Sequence, residues 1–310
     1  MHSICRAITQ GARGTVVLLG LFLMSGCGST SILCYGPNYD RDLEARLTAA
    51  TAGFRGTVGI YVRHLRQDRR VEILAEEPFP TASLIKVPIL CALMERIDRG
   101  ELNLSDELVY EKSKRLYPGE DLLGAFADGE KITIEKLVML MLTMSDNTAS
   151  LWLQELAGTG TAINDWLDRH HFPGTRMNSR TPGREADRER FGWGQTTPRE
   201  MAELMVAIRE GRAGSPAATD SMHRALTRSY WNKEALSQIP PDVAVMSKQG
   251  AVNRSRSEVA LVHGRHGDYV FCVITKDQTD ESWTADNEGF VLLRKVSAIL
   301  WDAFENSPNP

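Results

Sequence analysis

Basic charge is not in excess in this 310-residue sequence. Its 36 lysines and arginines face 40 aspartates and glutamates, for a formal net charge of −4, and that balance argues against a nucleic-acid partner. The arginine-rich patches Arg66–Arg70 and Arg184–Arg190 are short and interleaved with acids, as solvated surface is. Glycine loops of the phosphate- or dinucleotide-binding kind are missing. There is no Gly-x-Ser-x-Gly elbow, which excludes the usual α/β-hydrolase. The seven histidines supply no His-Glu-x-x-His, which excludes that class of zinc protease. Cysteine is scarce, five in all, with no metal-type spacing, so neither a metal nor a cofactor is expected. No internal repeat or low-complexity tract occurs.

What is present is the composition of a soluble globular protein, 42% hydrophobic and 25% charged, long enough for one large domain or two smaller ones. The N-terminus is different in kind. Arg6 and Arg13 precede the apolar run Thr15–Met24, which is too short to span a bilayer and has the layout of an export signal. Small residues and Cys27 follow, and "LMSGCGS" resembles a bacterial lipoprotein signal, with lipid on Cys27. The alternative is a plain secretory signal cut nearby. Residues 1–27 are therefore read as signal and 28–39 as tether, placing the mature protein outside the cytoplasm and on a membrane only through that lipid. Cys5 leaves with the signal. Cys34 carries no pairing signal, and Cys91 and Cys272 lie in apolar runs, where buried free thiols are expected.

From residue 40 to 306 the pattern is that of one α+β domain. A helix capped by Asp40 (40–52) is followed by two strand-like runs, 56–65 and 69–77. Helical periodicity then dominates from about 101 to 214, interrupted by a long ordered loop from Phe172 to Thr197. Helical stretches at 221–231 and 232–239 precede three strands, 242–250, 257–264 and 268–277. His263 and His266 lie in the turn of the last hairpin, and a final amphipathic helix begins near Asn287. This order predicts an antiparallel five-stranded sheet flanked by N- and C-terminal helices (about 40–80 and 215–306). An all-helical part (about 81–214) completes it, with a cleft between layers.

Three local patterns carry chemistry. Ser83 and Lys86 are three residues apart and share a helix face. Lys86 is surrounded by Leu84, Ile85, Val87 and Ile89. Desolvation there lowers its pKa and makes a neutral amine, a general base beside a hydroxyl nucleophile. Pro88 fits only because it falls early in the helix. Ser145-Asp146-Asn147 lies between two helices. There Ser145 can relay a proton and Asn147 can meet a substrate amide, although all three residue types also cap helices. Lys248 stands near the end of a strand with Gly250 two residues on. A lysine there suits a substrate carboxylate, unless it is an exposed edge-strand lysine.

Taken together, Ser-x-x-Lys, Ser-Asp-Asn and Lys-x-Gly in this order resemble the penicillin-recognising serine hydrolases, most closely the class A β-lactamase-like branch. The resemblance runs from about Asp40 to Phe304. It implies that Ser83 is acylated and that Lys86 is its base or proton relay. It also implies that Ser145, helped by Lys248, passes a proton to the leaving nitrogen, while Asn147 holds the substrate's side-chain amide. The backbone N–H groups of Ser83 and Ala251 would bind the oxyanion, and Arg254 or Arg256 a carboxylate. Gln249 and Gly250 complete the substrate-binding set. The implied substrate is a β-lactam or a peptidoglycan-like amide, and the protein is expected to be a monomer.

Two departures modify the expectation. The family's Glu-x-x-Leu-Asn deacylation motif is absent before "TTP". Glu185 and Glu189 stand in that stretch without the partner asparagine, so the acyl-enzyme should form and persist. Gln249 occupies a position where the family usually has a hydroxyl residue. Rival readings are a D-alanyl-D-alanine peptidase or other cell-wall amidase or esterase, and a non-catalytic penicillin-binding sensor.

Overall fold

The computed structural model describes residues 38–306 apart from 115 and 116; the signal segment, Cys27 and Cys34 lie outside the described residues. Asp40 opens the domain by accepting the Leu43 N–H at 3.0 Å, capping α1 (Arg41–Thr51). The long strands follow from β-branched and aromatic alternation: β1 (Thr57–His64), β2 (Arg70–Ile73) and, late in the chain, β8 (Val245–Val252), β9 (Ser255–Val262) and β10 (Tyr269–Lys276). They form one antiparallel sheet in the order β2-β1-β10-β9-β8. The five-stranded α+β expectation is met.

Period-two alternation gives the sheet two buried faces. Val270, Cys272 and Ile274 of β10 point into one core with Tyr61, Val259 and Leu261. Tyr269, Phe271 and Val273 point into the other, with Leu43 and Leu47 of α1 and Leu293, Val296 and Leu300 of α9 (Glu288–Trp301). The first core also holds the helical layer. Its centre is α2 (Lys86–Asp98), buried at every residue from Lys86 to Met94, so it is enclosed on all sides. Around it lie α3 (Ile134–Met139), α4 (Asn147–Leu156), α5 (Thr159–Arg169), α7 (Pro198–Arg209) and α8 (Pro216–Leu226). Each buried Leu or Ile there contributes about 1.5–3 kcal/mol. Cys91 and Cys272 are buried free thiols, as expected, and burial raises both pKa values. Among the described residues no helix is long and apolar enough to cross a membrane.

Several local expectations are corrected. The stretch 172–197 is not simply a loop: β6 (Arg176–Met177) pairs with β7 (Gly194–Thr196), β7 pairs with β3 (Phe79–Pro80), and α6 (Glu185–Phe191) lies between β6 and β7. Such short elements fall below the length at which periodicity is visible. A second small pair, β4 (Glu107–Val109) with β5 (Lys131–Thr133), stands where strand signals were scarce. The helix expected over 221–231 is α8, which starts earlier because Ser215 caps it and Pro216 opens it. The run at 232–239 holds only a 3-10 turn, Ala235–Gln238.

Candidate active site

Ser83 is delivered by a 3-10 turn, Ala82–Ile85, that runs straight into α2. The residue before it, Ala82, has φ +45°, a left-handed conformation costly for a residue with a Cβ. Lys86 follows one turn on, with no exposed surface. Its Nζ lies 3.1 Å from Ser83 Oγ, 3.0 Å from Ser145 Oγ, 2.6 Å from the Ser145 carbonyl and 2.8 Å from Asn147 Oδ1. Burial, and then the neighbouring Lys248, push the Lys86 ammonium well below the ordinary lysine range; Asp146 and Asp121 oppose that shift.

Ser145 closes a π-helical turn, Leu140–Met144, with φ 60° and ψ 30°, so the segment expected as one helix ends as α3 plus a wider turn. Asp146 then caps α4 by accepting the Ala149 N–H at 2.8 Å. The triplet thus serves both as cap and as wall of the cleft. Two reciprocal carboxylate–amide bonds tie it to the loop across the way: Asp146 accepts from Leu123 N at 2.9 Å and Asp121 from Thr148 N at 2.7 Å. Burial raises the Asp146 pKa against the pull of its two N–H donors.

On edge strand β8, Lys248 is 2% exposed. Its Nζ lies 3.0 Å from Ser145 Oγ and 2.7 Å from the Gln249 carbonyl. Burial lowers its pKa to about 7, opposed by Glu258. Gly250 lets the strand press onto the Ser83 turn. A Cβ there would stand 2.5 Å from Ser257 Oγ, 2.9 Å from the Thr81 carbonyl and 3.1 Å from Ser83 N. Ser83, Ser145, Asn147, Gln249 and Ala251 all line one cleft of about 1190 Å³.

The arginine expectation fails. Arg256 is fully buried, its guanidinium between the rings of Trp283 (4.6 Å) and Phe290 (4.7 Å). It donates to the carbonyls of Ser282 at 2.6 Å and Ser255 at 2.9 Å, and to that of Val252. Arg254 donates to the Gln278 and Asp277 carbonyls. Both groups are spent on backbone oxygens, and neither lines the cleft. Lys233 does: it is exposed and carries an uncommitted ammonium. Glu185 and Glu189, on the exposed face of α6, do not reach the cleft. Sequence reasoning also missed Tyr230, Trp231 and Trp283 on the cleft wall. The run "SYWNK", aromatics beside polar residues without apolar period, is the one signal that they stand on a surface.

A model of the Beta-lactamase enzyme family matches residues 42–304. The chain belongs to that family. Within it, a β-lactamase of Streptomyces lavendulae is 26% identical over 311 residues, covering 96% of this chain and 96% of its own. The crystal structure of the β-lactamase from Sphaerobacter thermophilus has a TM-score of 0.76 and 25% identity, over 86% of this chain and 98% of that one. PBP-A, solved as an acyl-enzyme complex with penicillin G, has a TM-score of 0.76 over 88% of this chain and 100% of its own. At 24% identity it speaks to the fold alone.

Proposed function

We propose that this chain is a serine hydrolase of the Beta-lactamase enzyme family that is acylated on Ser83 by a β-lactam or related amide and released slowly. The observation that carries the reading is the fully buried Lys86 amine 3.1 Å from Ser83 Oγ. In the neutral form that its burial favours, Lys86 takes the Ser83 proton as Oγ bonds to the carbonyl carbon. The developing oxyanion is met by the N–H groups of Ser83 and Ala251. Ser145, flanked by Lys86 and Lys248, returns a proton to the leaving nitrogen as the amide bond breaks. Asn147 holds the substrate's side-chain amide, Gln249 and Lys233 its carboxylate.

Slow release follows from the absence of a Glu-x-x-Leu-Asn motif and from the exposed position of Glu185 and Glu189 away from the cleft. The same observation favours a second reading, a D-alanyl-D-alanine peptidase, other wall amidase or esterase, or penicillin-binding sensor using the same nucleophile. PBP-A, captured with penicillin G bound covalently, is a relative in which such an acyl-enzyme accumulates. The signal-like N-terminus puts the chemistry outside the cytoplasm, with Cys27 as the lipid site and a monomer as the working unit.

Intact-mass spectrometry after mixing with benzylpenicillin, beside a chromogenic cephalosporin assay, tests the reading. The expected result is a long-lived adduct of one whole penicillin, absent in Ser83→Ala. Rapid turnover without an adduct overturns slow release. Neither adduct nor turnover overturns the hydrolase.

A further inference from the structure

Ser145 stands in a left-handed conformation at the end of a π-turn, a geometry that costs about 1–3 kcal/mol and persists only where its surroundings impose it. The last carbonyls of a helix have no partners within it. Here three successive ones are each taken by a donor from a distant segment. The Thr143 carbonyl accepts the backbone N–H of Tyr230 at 3.0 Å. The Met144 carbonyl accepts the indole Nε1–H of Trp231 at 2.9 Å, and the Ser145 carbonyl accepts from Lys86 Nζ at 2.6 Å. Lys86 belongs to the reacting set, and the Tyr230 bond is backbone, independent of side chain. The indole is the one side chain added from outside that set.

Trp231 is otherwise hard to explain. It is 46% exposed, outside both hydrophobic cores, and its only hydrogen-bonding group is that N–H. Its ring meets Tyr230, 60% exposed, edge-to-face at 5.2 Å. The pair thus belongs to a wall of the cleft held against the Ser145 turn rather than to the packing of the domain.

We propose that Trp231 is a positioning residue: its indole N–H, by holding the Met144 carbonyl, fixes the turn that presents Ser145 Oγ to Lys86 and Lys248. The proposal rests on the reading of Ser145 as the proton relay to the leaving nitrogen. Loss of the bond lets the turn relax from the left-handed geometry and takes Ser145 Oγ out of reach of the leaving group. Acylation slows while the initial, noncovalent binding of substrate is unaffected.

The experiment is a double-mutant cycle in the full-length protein, with the acylation rate constant and the preceding dissociation constant for benzylpenicillin measured separately. Trp231→Phe removes the N–H and keeps a ring. Replacing Trp231 by 3-benzothienylalanine puts sulfur in place of the N–H and keeps the shape, so that a folding defect in the first variant does not decide the outcome. Both are expected to lower the acylation rate constant about tenfold, the worth of one hydrogen bond, with the dissociation constant and melting temperature little changed. In a Ser145→Ala background the same replacements should change the rate less than about twofold, because the group being positioned is gone. Equal losses in both backgrounds, or a loss confined to the dissociation constant, overturn the proposal. If Ser145→Ala alone acylates at the parent rate, the relay reading fails, and the proposal with it.

Discussion

Lys86 and Lys248 share one oxygen: the Nζ atoms of both lie 3.0 Å from Ser145 Oγ. Two ammonium ions so placed repel, and each is stripped of water, so at neutral pH the pair does not hold two full charges. Lys86, fully buried and beside Lys248, yields its proton first. Lys248, at about 7, keeps its proton in mildly acidic solution. The arrangement supplies a neutral base next to Ser83 and a proton reserve next to Ser145 over one pH range.

It follows that acylation of Ser83 declines above about pH 7, as Lys248 loses its proton. Lys248→Arg, charged at every accessible pH, should move that decline upward by at least roughly two pH units. Labelling rates with a fluorescent penicillin between pH 5 and 10 measure both. A parent rate that stays level through pH 9 contradicts the assignment.

Gly250→Ala should reduce acylation on the order of a hundredfold, because β8 must move off the Ser83 turn to clear Ser257 Oγ and the Thr81 carbonyl. Overpacking should also cost about 1–3 kcal/mol in urea unfolding. Unimpaired labelling would mean that the approach of strand and turn is not needed.

Glu258 is a buried carboxyl on β9 that accepts the Ala235 N–H at 3.0 Å. Burial raises its pKa from 4.5 to about 8. With the folded value above the unfolded one, its contribution is fully present below pH 4.5 and is lost as pH rises through about 8. Glu258→Gln, neutral throughout and still able to accept that N–H, should lose none of it. Relative to the variant, the parent should lose about 3–5 kcal/mol between pH 4.5 and 8.5, read from urea unfolding at the two pH values. Parallel pH profiles would show that the carboxyl titrates alike in both states.

Glu185→Gln and Glu189→Gln should leave both the lifetime of the penicillin adduct and the rate of its formation within about twofold of the parent, as surface changes far from the chemistry do. Time-resolved intact mass after a penicillin pulse checks this. A lengthened adduct lifetime in either variant would make that glutamate the deacylation base.

Lys233→Ala should weaken the noncovalent binding of benzylpenicillin about tenfold and leave the acylation rate constant nearly unchanged, with an effect that shrinks as salt is raised. An unchanged dissociation constant at low ionic strength would remove Lys233 from carboxylate binding.

Much of this architecture was legible because it rests on local periods. Alternation in "YVFCVITK" places Val270, Cys272 and Ile274 on one face of β10 and Phe271 and Val273 on the other, and the three-residue spacing of Ser83 and Lys86 puts both on one side of a turn. Where hydrogen bonds between remote segments decide, the sequence misleads. Arg256 looks available to a substrate until the carbonyls of Ser255 and Ser282 and the faces of Trp283 and Phe290 enclose it. Residues 172–197 look loop-like because strands of two or three residues leave no periodic trace.

By itself the sequence determined the sheet with its two faces, the buried central helix, and the residue types that can attack, deprotonate and relay, since each depends on neighbours within a few positions. The tertiary structure alone decided that Lys86 and Lys248 meet at one hydroxyl, that Gly250 admits the Ser83 turn, and that Trp231 reaches back to Met144. Those contacts join segments from 59 to 167 residues apart. No local preference encodes them; they exist because packing the helical layer onto the sheet brings those backbones together.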